Sequence, residues 1–365
     1  MRTRLLLALA AASLLLAAPS RAPALGAEQV SVNGFGAWTA GYTDRNPYQT
    51  GAVGGRWDDA SFALAVAAQP GERLSVAAQL FFTSREGTQA AALDWAFATW
   101  RFSDALSLRV GRVKEPFGIY GEILDVGILR PFQSLPSAVY GPGDFMGESY
   151  LGAGLTGSAL LGGGWALGYD LFLGELLVRE SLVPLVATGR EQPPPGAPIV
   201  EDESHGRQLG GRLVLSTPLE GLSLRATGAG DGKGIVVGGP SVEYLTDAWS
   251  VRAEGFYQQD PREGVRAWAG YVEVARRLGP HWQLAARLDG SRTWVTGYAG
   301  DSPALRHRDL AAGVNYWFSP DLVVRAALHD VDGNRFAAPE APADVAAGLA
   351  SRHTRLLEAG AQFAF

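Results

Sequence analysis

The sequence predicts a membrane-spanning, antiparallel β-barrel of about sixteen strands. Three features predict it: a secretory leader with no later helix-length apolar run, segments about ten residues long with two-residue periodicity, and connections that alternate between tight turns and longer loops.

The leader is read first. Residues 1–4 carry two arginines, Leu5 to Ala18 is an apolar run of 14 residues, and small residues with Pro19 and Pro23 follow. Residues 1–27 are therefore expected to be a signal peptide, cleaved after Ala27 or after Ala24, with 28–365 forming the barrel. The leader holds three arginines and no acid, which leaves 28 basic and 37 acidic residues and a net charge of −9. That balance argues against nucleic acid as a partner. The chain has no cysteine, so an exported protein of this kind must be held by a large core or by closed strand pairing. It has 47 glycines and 10 tryptophans and is 47% hydrophobic, which suits strands and turns better than helices.

The expected strands are 30–42, 59–69, 73–83, 91–102, 106–113, 148–161, 165–175, 206–217, 221–230, 235–246, 248–258, 265–278, 281–294, 306–318, 321–331 and 352–365. Each has the length that a tilted strand needs to cross a bilayer. Late in the chain the alternation is clean: Leu310, Ala312, Val314, Tyr316 and Phe318 share one face, while Asp309 and Asn315 share the other. Seven connections are tight, for example PGE at 70–72 and SPD at 319–321, and the eight between them are mostly longer. An even-stranded barrel with both termini in the periplasm requires that rhythm. The connection at 231–234 is short for the long-loop side, so the count is open to change by one hairpin there.

Trp100, Trp165, Trp249, Trp282 and Trp317 each lie within three residues of a tight turn, where an aromatic girdle at one lipid interface would put them. The last strand ends in LLEAGAQFAF, and a terminal aromatic on such a strand resembles the recognition signal of bacterial outer-membrane barrels.

One connection stands apart. Residues 114–147 follow the fifth strand and are rich in Ile, Leu and Phe, too apolar for a solvated surface loop. Connections this long are usually functional. The expectation is that this one folds into the lumen as a constriction, contributing Lys114, Glu115, Glu122, Asp125, Arg130 and Asp144. A second long loop, 176–205 with Pro193 to Pro195, resists sheet pairing and is expected outside.

The run GRVKEPFGIYGE, preceded by the aromatic strand DWAFATWRF, resembles the corresponding hairpin of the phosphate-selective porin O and P family. Gly111, Lys114, Pro116, Phe117 and Gly118 carry the match. The resemblance implies a sixteen-stranded trimeric barrel whose constriction loop leaves the fifth strand. It does not extend to phosphate selectivity, because that family uses many lysines and this chain has two, Lys114 and Lys233.

Strand parity places Arg109, Arg212, Arg225, Arg252, Arg287 and Arg325 in the lumen, since a charge facing mid-bilayer lipid costs about 2 to 4 kcal/mol. Pore arginines favour anions. The same parity puts Asp170, Glu243, Glu254, Asp289 and Glu358 inside, so the arginines are equally open to a structural role in cross-strand pairs.

The expected function is passive diffusion of small hydrophilic solutes or ions across a bacterial outer membrane, by a homotrimer in contact with outer-membrane lipid, anion-preferring if the arginines prevail. Two rivals are a closed barrel acting as a surface adhesin or scaffold, and an outer-membrane hydrolase with His329 as base. No cofactor or metal is expected. GAGDGKG at 228–234 lacks the first glycine and the final Ser or Thr of a phosphate loop, DVDGN at 330–334 fails the calcium-loop spacing, and the five histidines are scattered. No G-x-S-x-G nucleophile elbow is present.

Overall fold

The computed structural model describes residues 30–337, except 86, 142–144, 181, 182 and 191–201, and residues 350–365. The leader, Asp144 and Pro193 to Pro195 lie outside the described residues. Sixteen long strands are present: β1 (Val30–Thr43), β2 (Arg56–Ala68), β3 (Leu74–Arg85), β4 (Thr88–Ser103), β5 (Leu106–Lys114), β6 (Ser149–Gly162), β7 (Trp165–Glu180), β8 (Asp202–Ser216), β9 (Leu222–Gly230), β10 (Val236–Leu245), β11 (Trp249–Asp260), β12 (Val265–Leu278), β13 (Trp282–Val295), β14 (Arg306–Ser319), β15 (Leu322–Asp332) and β16 (His353–Ala364). A two-residue piece, Ala52–Val53, runs parallel to the end of β1.

Each long strand pairs antiparallel with its chain neighbours, and β1 pairs with both β2 and β16, so the sheet closes on itself. The short 231–235 connection is a true hairpin, with β9 and β10 in register from Gly230 opposite Val236, so the count stays at sixteen. β7 and β8 run further than their sequence pattern shows, staying paired as far as Glu180 opposite Asp202. Among the described residues no helix is long and apolar enough to cross a membrane.

Two-residue alternation divides the wall cleanly. Leu288, Leu310 and Leu328 face outward and are exposed, while their neighbours Arg287, Asp309 and His329 are buried inside. Trp100, Trp165, Trp249 and Trp282 also face outward near the tight turns, and Trp38, Trp57, Trp268 and Trp294 face outward towards the opposite rim. Two aromatic belts thus flank an apolar band, the pattern that lipid interfaces select. Trp317 departs from the expected girdle. It shares parity with Asn315, so it points inside, where Arg277 lies 4.5 Å from its ring centroid.

The seam between the first and last strands is fitted by size. Phe363 and Phe365 of the final strand lie over Gly36 and Gly34 of β1: a Cβ at Gly34 would stand 2.3 Å from the Phe365 ring, and one at Gly36 would stand 2.7 Å from the Phe363 ring. Phe365 also stacks on Phe62 of β2 at 6.2 Å, and its backbone exchanges hydrogen bonds of 2.9 and 3.0 Å with Gly34. The last residue therefore clamps three strands across the seam.

Gly34→Leu is expected to impair closure, read as loss of the compact, heat-modifiable band in cold SDS gels after refolding. Gly71→Leu, at a turn where a Cβ meets nothing within 4 Å, should refold normally.

Candidate functional site

The segment between β5 and β6 enters the barrel and lies against the inner wall. Its root explains the motif residues one by one. Gly111 has φ +134°, and a Cβ there would lie 2.4 Å from the Ala96 carbonyl oxygen. Lys114 Nζ makes 2.8 Å contacts with both Asp94 Oδ1 of β4 and Asp125 Oδ2 further along the loop. Pro116 is buried, and Phe117, fully buried, stacks on Phe256 of β11 at 4.5 Å. Gly118 turns the chain with φ +54°, where a Cβ would fall 2.4 Å from Tyr140 Oη and 2.5 Å from Glu254 Oε1.

From there the loop crosses the lumen and is tied strand by strand. Ile119 N–H donates to Glu254 of β11 (2.8 Å), and the Tyr120 hydroxyl donates to Glu273 of β12 (2.6 Å). Arg287 of β13 donates to the Ser134 carbonyl (2.8 Å), and Asn315 of β14 to the Pro131 carbonyl (2.9 Å). Arg325 of β15 donates to the Gly127 carbonyl (3.2 Å). Gln133 donates to Thr39 of β1 (2.6 Å), and Ser134 to Glu358 of β16 (3.1 Å). On the other flank Glu122 accepts from Arg212 of β8 and lies 3.5 Å from Arg109 of β5. The loop between β1 and β2 also dips inward: the Thr50 hydroxyl donates to Glu358 (2.6 Å), and Tyr48 Oη lies 3.2 Å from His307 Nε2.

The wall residues singled out by parity all point inward, but they do not share one environment. Arg109 and Arg212 form a half-open cluster with Asp170 and Glu122, Arg109 at 3.9 Å and Arg212 at 2.9 Å from Asp170. Arg225 and Arg252 both meet Glu243, Arg252 at 2.9 Å, and Arg252 also donates to the Tyr120 hydroxyl (2.8 Å). Arg287 and Asp289 are completely covered; Arg287 lies 3.6 Å from Glu273, 3.8 Å from Asp289 and 4.6 Å from the centre of the Phe132 ring. Arg325 lies under the loop backbone. Glu254 meets no arginine among the described residues; it accepts from Ser241 (2.6 Å), Tyr271 (2.8 Å), Tyr140 and Ile119 N–H. Arg130 donates to the Leu124 carbonyl (2.8 Å).

Burying such charges unpaired would cost several kcal/mol each. The pairing answers that cost and makes the loop and the wall one unit. Parity alone reaches Glu273, between Tyr271 and Ala275. It gives no sign that Tyr120, Tyr140 and Gln133 are the loop's partners for the wall, because no local periodicity encodes a contact across the lumen.

His329 is fully buried, with Nδ1 2.8 Å from Asp309 and Nε2 3.7 Å from Glu358. Among the described residues its polar partners are these two carboxylates. Among the described residues no group of His, Asp and Glu has the arrangement of a metal site.

Glu115, at the loop root, is a strongly perturbed carboxyl. Burial pushes it up to about 8, and the Gly147 N–H, donating at 2.8 Å, only partly offsets this. A carboxyl whose folded value exceeds its ordinary 4.5 contributes stability that is complete at low pH and is lost as pH rises through about 8. The loop root is therefore expected to lose protease resistance progressively as pH rises from about 4.5 through about 8. Glu115→Gln keeps the acceptor for Gly147 and should make trypsin resistance independent of pH over that range. Gly118→Ala should loosen the loop at every pH, by about 1 to 2 kcal/mol from backbone strain alone, read as a lower refolded-barrel melting temperature.

The chain matches no protein-family model and no curated relative. Solved structures do resemble it. OmpF of Salmonella typhi, in complex with daunomycin, is 12% identical with a TM-score of 0.59 over 92% of this chain and 97% of that one. A loop L8 deletion mutant of OmpT, an outer membrane protein of Vibrio cholerae, is 9% identical with a TM-score of 0.56 over 92% and 100%. The outer membrane channel DcaP of Acinetobacter baumannii is 9% identical with a TM-score of 0.55 over 92% and 97%. The fold of this chain is that of the closed, sixteen-stranded porin barrel.

Proposed function

We propose that the protein is a passive diffusion channel of a bacterial outer membrane, carrying small solutes or ions down their gradients with no covalent chemistry. The observation that supports this is the loop fixed inside the barrel with solvent beside it. Leu129, whose backbone carbonyl takes the Arg252 guanidinium, keeps 49% of its surface exposed, and the side chains of Arg109 and Glu122 keep 29% and 34%. Water-accessible side chains in the middle of a barrel mark a passage, and they speak against the plugged interior that an adhesin or scaffold would have. Residues 114–147 are the constriction on this reading. The leader is a cleaved signal peptide, both termini are periplasmic, and the barrel assembles as a trimer. The motif at Gly111 to Gly118 ties the chain to the porin O and P family through loop architecture, not through the ion carried.

Selectivity follows from the pairing. Arg109, Arg212, Arg225, Arg252 and Arg287 each have a carboxylate within 4 Å, which largely cancels their field. Arg130 and Arg325 instead donate to loop carbonyls, so an anion preference rests on these two. Refolded protein in a planar bilayer should give stable conductance steps, in threes for a trimer, with a small anion-selective reversal potential in a salt gradient. Arg130→Gln should move that potential towards zero. Absence of steps from correctly refolded protein would overturn the channel reading, and a monomer in cross-linking across detergents would overturn the trimer.

A further inference from the structure

The lumen is not lined alike all round. The loop covers the wall from β11 round to β1, where most of the buried charges lie. The arc from β1 to β4 is different. Asp125, tied to Lys114, and Gly127, whose Cβ would stand 2.3 Å from Gln362 Nε2 of β16, carry the loop as a chord across this arc.

Facing inward on the arc are Phe35, Phe81, Trp95 and Phe97. Phe35 and Phe81 flank Ala63, each directly opposite it in register, and Ala63 is fully buried between them. A bulge in β4 sets both Asp94 and Trp95 against inward Gln79, which donates to Asp94 at 2.6 Å. The Trp95 and Phe97 rings lie 5.5 Å apart, and the Arg109 guanidinium lies 5.8 Å from the Phe97 centroid. All four rings are half-buried, so part of each remains open to the passage. The loop itself carries the exposed Leu129.

A water-filled passage gains nothing from apolar walls when its solutes are fully hydrophilic, because rings facing water keep an unfavourable hydration. A solute with a flat apolar face removes that surface from water and stacks on the rings. The charges beside the arc are already satisfied, Arg109 by Glu122 and Asp170, Lys114 by Asp94 and Asp125. The cations beside the arc are therefore already held by carboxylates and offer no free charge to an anionic ligand.

We propose that this arc is a binding subsite for small aromatic solutes without net charge. The inference rests on the channel reading and refines it: the passage retains ring-bearing solutes over equally sized polar ones. The probes are L-phenylalanine and L-glutamine, both zwitterions near neutral pH. In planar bilayers, L-phenylalanine should give current blockades several-fold longer than L-glutamine at equal concentration. In detergent, saturation-transfer NMR should show contact for L-phenylalanine only. The double variant Phe81→Leu with Trp95→Leu, checked for refolding by its heat-modifiable band, should lose both differences while its conductance in salt alone stays about the same. Steps without discrimination between the two amino acids would overturn the subsite and leave the channel standing. Saturation transfer without steps would uphold the subsite and overturn the channel, and failure of both would overturn both. If the double variant does not refold, the wild-type comparison still decides.

Discussion

A backbone that cannot hydrogen-bond to water must satisfy every N–H and C=O within itself, and a sheet does so only when it has no edge. Closure of β1 on β16 is therefore the condition on which the rest of this structure depends. It is met with small residues: Gly34 and Gly36 leave the space that the last two phenylalanines fill. Once the ring is closed, inside and outside are defined for every strand. The alternation of apolar and polar residues then becomes two surfaces, one suited to lipid and one able to hold charge.

Closure also creates the problem that the loop solves. An interior lined by arginines and carboxylates on one side and by alanines and rings on the other is neither a core nor a uniform channel. The loop after β5 covers the charged side, contributing Tyr120, Gln133 and its own carbonyls as partners and leaving Glu122 and Asp125 to reach across. The loop is held in place for a physical reason: each anchor is a buried polar contact whose loss would strand a charge or a donor.

Much of this was legible in the sequence. All sixteen strands, the tight turns and the inward phase of Arg109, Arg212, Arg225, Arg252, Arg287 and Arg325 follow from two-residue periodicity and from Gly and Pro at turns. Trp317 was misread because nearness to a turn was weighed above parity with Asn315. The β7 and β8 ends were drawn short because paired strands that project beyond the apolar band lose the alternation that marks them.

The sequence by itself determined which residues face in and which face out, because a pleated strand carries that choice in its local pattern. It also marked the loop that had to be buried, because so apolar a segment could not remain in water. Only the tertiary structure decided which inward residues lie under the loop and which do not. Parity has no memory of height or of what crosses above, and contacts such as Tyr120 with Glu273 or Gln133 with Thr39 exist only after the ring has closed around the loop.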